Sequence, residues 1–261
     1  MEYNISPYLP PTLEHLNCSG LLDSSLVSSP RRALVGYPGS GNSWVRILLE
    51  ISTGASTCSD RSQKHLDGGC VLTLTHHLVR LARDNSRLDN LVHFSGRAVL
   101  LIRDPLGAVL SAYRHQMFGV HSGSEIRLRT NLLAALNTRE RQHENIDQEH
   151  FARFALEQLD MWRNIIIDWV VLGTEVLVVH YEDFLEDKIG QLRKIIRFLG
   201  LKEDPRRLQC VQFASLEFYK RPQTNLKKML FTDQLKSQFY KVVEEVNTIL
   251  KKHGHRMVSR E

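Results

Sequence analysis

The sequence predicts an α/β fold around a mostly parallel sheet, and two segments carry that prediction. The first, Leu34 to Arg46, is an apolar strand running into a glycine-rich turn that opens directly onto a helix with an apolar face. The second, Arg97 to Arg103, is a short apolar run of the kind that forms a buried parallel strand. Asp104-Pro105 breaks that run, and Pro105 suits the first turn of a following helix. A chain of 261 residues, 42% of them hydrophobic, suffices for one compact domain over residues 31–261, behind an irregular leader over 1–30.

Taken in order, residues 33–37 are expected to be the first strand and 42–52 the helix after the glycine turn. The polar, glycine-containing stretch from Cys58 to Gly69 reads as a loop. Val71 to Thr75 alternates apolar residues with threonine as a short strand would, and His76 and His77 fall at its end. Residues 78–92 are expected to be helical, and Gly119 to Gly123 marks a break before a polar, charge-rich stretch to about His150. Phe151 to Trp169 and Asp187 to Phe198 carry apolar residues at helical spacing, the second stopped by Gly200. Asp233 to Lys251 reads as a closing amphipathic helix.

Composition narrows the function classes. A formal net charge of +5 favours anionic ligands, yet the basic residues are spread along the chain rather than gathered in a nucleic-acid stripe. Cys18, Cys58, Cys70 and Cys210 lack metal-ligand spacing, and no metal is expected. Cys58 and Cys70 either close a loop or remain buried thiols. No run approaches the roughly 18 apolar residues of a membrane helix, and the N-terminus lacks the charged and apolar regions of a signal peptide. Asn4-Ile5-Ser6 and Asn17-Cys18-Ser19 are acceptor-type sequons that would suit a lumenal stem.

The glycine turn has the grammar of an anion-binding loop. Backbone N–H groups around Pro38 to Asn42, most freely placed where Gly39 and Gly41 lack a Cβ, can converge on a phosphate or sulfate at a helix N-terminus. Gly36 and Gly41 are spaced as in a nucleoside-triphosphate loop, but Asn42 and Ser43 follow where lysine would stand. That replacement argues for an anion held without metal and leaves a degenerate kinase or NTPase as a minor alternative. Arg103, at a strand's C-terminal edge, and Ser111, two helical turns along, can hold a second phosphate. As an alternative, Arg103 is an ordinary surface ion-pairing residue.

Together these segments resemble the sulfotransferase superfamily, whose donor is 3′-phosphoadenosine 5′-phosphosulfate (PAPS). Tyr37-Pro38-Gly39-Ser40-Gly41-Asn42-Ser43-Trp44 looks like the 5′-phosphosulfate loop, Arg103-Asp104-Pro105 through Ser111 like the 3′-phosphate motif, and Val176 to Asp183 like the strand whose tyrosine, here Tyr181, lies beside adenine. Within the superfamily the chain resembles the sulfotransferase domain of WSC-domain-containing sulfotransferases, over roughly residues 30–222. The resemblance implies a P-loop-like three-layer fold with helices flanking the central sheet. It implies in-line sulfuryl transfer to a hydroxyl of a glycan or glycoconjugate in the Golgi lumen, with a cytoplasmic location as the alternative for a chain without an anchor.

The resemblance also assigns residues. Pro38 to Ser43 would hold the 5′-phosphosulfate, Trp44 would stack on adenine or else belong to the core, and Arg103 with Ser111 would hold the 3′-phosphate. Lys220-Arg221 would complete that site or form a solvated charge pair. His76, in Leu74-Thr75-His76, matches the family's histidine base. Gly39 and Leu74 stand where cytosolic relatives have lysines, so Arg46, three residues past Ser43, is the candidate substitute for the lost charge, unless it is a surface arginine. A catalytically impaired PAPS-binding domain is therefore the leading alternative.

Overall fold

The computed structural model describes residues 32–59, 69–76, 93–118, 147–213 and 226–259, and the structural statements below concern those residues. Five strands form one sheet: β1 (Ala33–Val35), β2 (Thr57–Ser59), β3 (Leu72–Thr75), β4 (Arg97–Ile102) and β5 (Glu175–His180). They lie in the order β2-β3-β1-β4-β5, and every pairing is parallel. The first strand in the sequence is thus central, with Leu34 in register with Leu74 on one side and Val99 on the other.

Strand alternation divides the interior in two. Ala33 and Val35 of β1 and Ala98, Leu100 and Ile102 of β4 face one core, whereas Leu34, Val99 and Leu101 face the other. The first core is closed by α2 (Pro105–Phe118), α3 (Gln148–Leu172) and, beyond α7 (Leu226–Leu230), α8 (Asp233–Lys252). The second is closed by α1 (Asn42–Thr53), α4 (Tyr181–Glu186), α5 (Lys188–Phe198) and α6 (Pro205–Phe213). Helices on both faces of a parallel sheet make the three-layer fold that the sequence predicts, because each strand buries apolar residues on both sides.

Element ends follow local chemistry. The Asp147 carboxylate accepts from the Glu149 and His150 N–H groups and starts α3, Asp187 caps α5 through Gly190 N, and Thr232 caps α8 through Leu235 N. The first strand stops at Val35, short of the expected 33–37, because Tyr37 already accepts the Ser40 N–H in the turn. A short strand, β2, occupies the start of the stretch read as a loop from Cys58, and a disulfide joins Cys58 to Cys70, with their Cα atoms 5.7 Å apart. The run from Val176 to Asp183 is strand only to His180, and Tyr181 begins α4. The expected leader, the helix over 78–92 and most of the 119–150 stretch lie outside the described residues.

The C-terminal segment folds back on the end of β5. Val258 is buried, exchanging hydrogen bonds with Asn247 at 2.7 and 3.0 Å, and Arg256 pairs with Asp183. Beneath it His180 is 3% exposed. Burial, helped by the Arg256 charge, pushes its imidazole down from 6.5 to about 4. An unfolded chain therefore binds a proton that the folded chain refuses between these values, so the stability contributed is complete above pH 6.5 and lost as pH falls toward 4. Urea denaturation across this range is expected to show up to about 3 kcal/mol of acid destabilisation that His180→Gln removes.

Candidate functional site

Strands β1 and β4 are neighbours, but the helix that follows β1 packs on one face of the sheet and the helix that follows β4 on the other. Their divergence opens a crevice at the C-terminal ends of the strands, the position where open α/β sheets bind ligands. The loop joining β1 to α1 fills one side. Gly39 and Gly41 adopt left-handed φ values of 94° and 97°, and Gly41 is the N-cap of α1 with no side-chain bond to the first turn. Gly41 gives the first turn of α1 no side-chain cap, the kind of helix N-terminus at which anions bind.

Two buried polar atoms of this loop lack partners, and one of them, the Ser40 hydroxyl, can donate to an anion. The Ser40 hydroxyl is fully buried and its oxygen has no hydrogen-bond partner, although such groups are nearly always paired in folded proteins. Asn42 donates through Nδ2 to the Tyr37 carbonyl at 3.2 Å and leaves Oδ1 without a partner. Pro38, Gly39, Gly41 and Ser43 keep partial exposure around them.

The second predicted segment meets the first directly. A Cβ on Gly39 would lie 2.5 Å from the Ala108 carbonyl oxygen and 3.0 Å from the Ser111 Cβ, so the loop rests against α2 at closest packing. Arg103 donates through Nη1 to the Gly39 carbonyl at 2.8 Å, and its guanidinium lies 4.2 Å from the centroid of the Tyr181 ring. Tyr181 in turn covers Gly41 and meets the Trp44 ring edge-on, with centroids 5.6 Å apart. Gly39, Gly41, Trp44, Arg103, Ser111 and Tyr181 therefore share one site. Trp44 is 4% exposed and packs on Tyr181 and Phe184 as a wall of the second core.

Beside Asp104 of the Arg103-Asp104-Pro105 motif, Glu182 and Lys227 join this site without an assigned role in the sequence reading. The buried Asp104 carboxylate caps α2 by accepting the Gly107 N–H at 2.7 Å and lies 3.6 Å from Lys227 Nζ. Its own N–H donates to Glu182 Oε1 at 2.9 Å, and burial raises the Glu182 pKa. The Asp-Pro break carried the signal for the cap, since Asp before a proline-led helix is a capping pattern. Nothing local signalled the partners, which come from 78 and 123 residues further along.

His76 stands at the end of β3, with Nδ1 2.7 Å from the Gly36 carbonyl oxygen. A carbonyl can only accept, so Nδ1 carries the proton of the neutral ring and Nε2 carries the lone pair. Arg46 is not brought to the loop. Its Nε donates to Thr57 Oγ1 at 2.9 Å and its Nη2 to the Thr57 carbonyl at 3.4 Å, beside buried Glu50, whose pKa burial raises. Glu50 accepts from Thr57 as well, so the helix face that carries Arg46 is turned to β2 and away from the crevice. Leu74 is 8% exposed and belongs to the second core with Leu34 and Trp44. Lys220 and Arg221 lie outside the described residues.

Comparison with known proteins bears on the family and the fold. The model of the Sulfotransferase family matches residues 95–205, a stretch containing Arg103, Ser111 and Tyr181 but not the loop after β1. The fold is that of sulfotransferases. Mouse sulfotransferase SULT7A1 complexed with PAP (3′-phosphoadenosine 5′-phosphate) is 16% identical, with a TM-score of 0.56 over 89% of this chain and 91% of its own. Retinol dehydratase, in complex with androsterone and inactive cofactor PAP, is 13% identical, with a TM-score of 0.53 over 96% and 87%.

In sequence the chain is similar to the WSCD family. A member from Aedes aegypti is 28% identical over 217 residues, 82% of this chain, and one from Drosophila pseudoobscura pseudoobscura is 25% identical over 238 residues, 90% of this chain. The chain spans 62% of the length of the first and 71% of the second.

Gly39→Ala is expected to lower stability by about 1–3 kcal/mol in urea denaturation, combining a left-handed Cβ with a clash against α2. Gly200→Ala, at φ 69° with nothing within 4 Å of the added Cβ, isolates the conformational part and is expected to cost less.

Proposed function

We propose that this chain is a PAPS-dependent sulfotransferase that moves a sulfuryl group to a hydroxyl of a glycan or glycoconjugate by in-line transfer, without metal. The observation that carries the reading is the junction of two anion-binding segments in one crevice. The loop after β1, with its left-handed glycines and unpartnered Ser40 hydroxyl, rests on the helix that bears Ser111, and Arg103 spans the two. Loop N–H groups and Ser40 would hold the 5′-phosphosulfate, and Arg103 and Ser111 the 3′-phosphate. Lys220 and Arg221 remain part of the proposal as further 3′-phosphate residues.

When bound, PAPS supplies an activated sulfuryl group with a phosphate oxygen as leaving group. In the net reaction an S–O bond to the acceptor forms, the S–O bond to that phosphate breaks, and the acceptor loses its hydroxyl proton. His76 suits the role of base because the Gly36 carbonyl fixes the proton on Nδ1 and turns the Nε2 lone pair into the acceptor. Tyr181, whose ring rests beside Gly41 and under the Arg103 guanidinium, would border the adenine. The Cys58–Cys70 disulfide supports a lumenal, oxidising compartment of the Golgi type, since such bonds rarely persist in reducing cytosol.

A second reading, donor binding with impaired transfer, has its own support. Leu74 is buried among apolar side chains where relatives carry a lysine, and Arg46 is committed to Thr57, so neither supplies charge to the transferring group. Loss of one preorganised transition-state donor costs about 2.7–4 kcal/mol in a well-studied enzyme.

Thermal denaturation with PAP tests the nucleotide site. At about 100 times its Kd the ligand is expected to stabilise the protein by about 2.7 kcal/mol, an effect that Arg103→Ala removes and Mg²⁺-ATP does not reproduce. Equal stabilisation by Mg²⁺-ATP would move the chain to a degenerate NTPase, and no effect of PAP on the folded protein would end the sulfotransferase reading. Sulfate transfer from PAPS to a glycan panel separates the remaining two: transfer lost by about 100-fold or more in His76→Ala supports the enzyme, whereas PAP binding without transfer supports the impaired domain.

A further inference from the structure

Helix α3 reaches both anion-binding segments through two polar side chains one turn apart. Gln158 Oε1 accepts the Tyr37 hydroxyl proton at 2.8 Å, and Trp162 Nε1 donates to the Arg103 carbonyl at 3.0 Å. Positions i and i+4 share a helix face, so a single rigid element is bonded to the loop after β1 and to the end of β4. Tyr37 is 1% exposed and Trp162 is fully buried, so the donor side chain of each bond is closed to water. Both anchors act on the site backbone. The Tyr37 carbonyl accepts from Ser40 N and from Asn42 Nδ2, so displacement of Tyr37 carries the anion loop with it. The Arg103 carbonyl belongs to the peptide that leads into Asp104, the cap of α2, the helix that bears Ser111.

We infer that Gln158 and Trp162 are positioning residues that set the distance between the two phosphate subsites, an inference that rests on the nucleotide reading above. A ligand with two anionic groups on one ribose gains from both subsites only when their separation is held. A ligand with one phosphate occupies one subsite and does not sense the separation. The clamp therefore contributes to selectivity for a 3′,5′-bisphosphate over a 5′-monophosphate, and a purely structural role would not.

Calorimetric Kd values for PAP and 5′-AMP on the full chain test this, with melting temperatures recorded for every variant. Wild type is expected to prefer PAP. Gln158→Leu and Tyr37→Phe are each expected to cut that preference by about fivefold, the worth of one hydrogen bond, while the Kd for 5′-AMP changes less than about twofold. The double variant should lose no more than either single one, because both remove the same bond. Gln158→Glu, which keeps an acceptor, should restore the preference, and Trp162→Phe should reduce it from the other anchor. An unchanged preference in folded variants, or equal weakening of both ligands, overturns the inference and leaves the nucleotide site standing. A wild type that binds PAP no better than 5′-AMP overturns the nucleotide reading and the inference with it.

Discussion

The approach of Gly39 to the backbone of α2 sets the geometry of the crevice. At that contact a loop and a helix from adjacent strands touch with no side chain between them, and a Cβ there would stand 2.5 Å from a carbonyl oxygen. Because the loop sits so low, the Gly39 carbonyl comes within reach of Arg103, and Arg103 in turn is drawn over Tyr181. Tyr181 fills the space that a side chain at position 41 would take. Sterics at two positions thus bring a cation, an aromatic ring and a helix N-terminus together, and hydrogen bonding then fixes the arrangement. The attraction between Arg103 and Tyr181 alone, about 0.5–2 kcal/mol by type, could not impose it.

Charge is handled differently on the two sides of α1. On the crevice side the buried Ser40 hydroxyl is left unsatisfied, at a cost of about 1–3 kcal/mol, which a bound anion would recover. On the far side Arg46, Glu50 and Thr57 satisfy one another and tie α1 to β2 next to the disulfide. One end of the helix is prepared for a ligand while the other is locked to the sheet, which keeps the prepared end from relaxing. The same lock holds the Arg46 guanidinium on Thr57 and not on the loop after β1.

The fold was legible because its signals are local and repeated. Strand–glycine turn–helix and apolar run–Asp-Pro–helix each encode a βα unit within fifteen residues or so, and parallel strands announce themselves by apolar runs. The expected helices over 187–198 and 233–251 recur to within one residue at each end, and the one over 151–169 gains three residues at each end, its start set by the Asp147 cap that periodicity cannot see. The β2 strand escaped notice because Thr57-Cys58-Ser59 has little apolar character and is defined by its partner β3. In the site, the residues on the loop and on β4 could be read from motif spacing. The direction of the Arg46 side chain could not, since position i+3 on a helix fixes proximity in sequence and not the partner across the sheet. Gln158, Trp162, Glu182 and Lys227 enter through contacts made across many tens of residues, for which a single chain carries no readable mark.

The strand order has a consequence for how the molecule comes into being. β1 leaves the ribosome before its neighbours, yet β3 and β4, which flank it, follow 39 and 64 residues later by their first residues. Until both arrive, the anion loop hangs from a strand with two open edges, and Tyr37 must wait for Gln158, 121 residues away, to engage its hydroxyl. Such distant pairings make loop closure costly and folding slow. The nascent chain thus exposes its most apolar strand longest, so that assembly of the crevice and completion of the sheet are a single, late event.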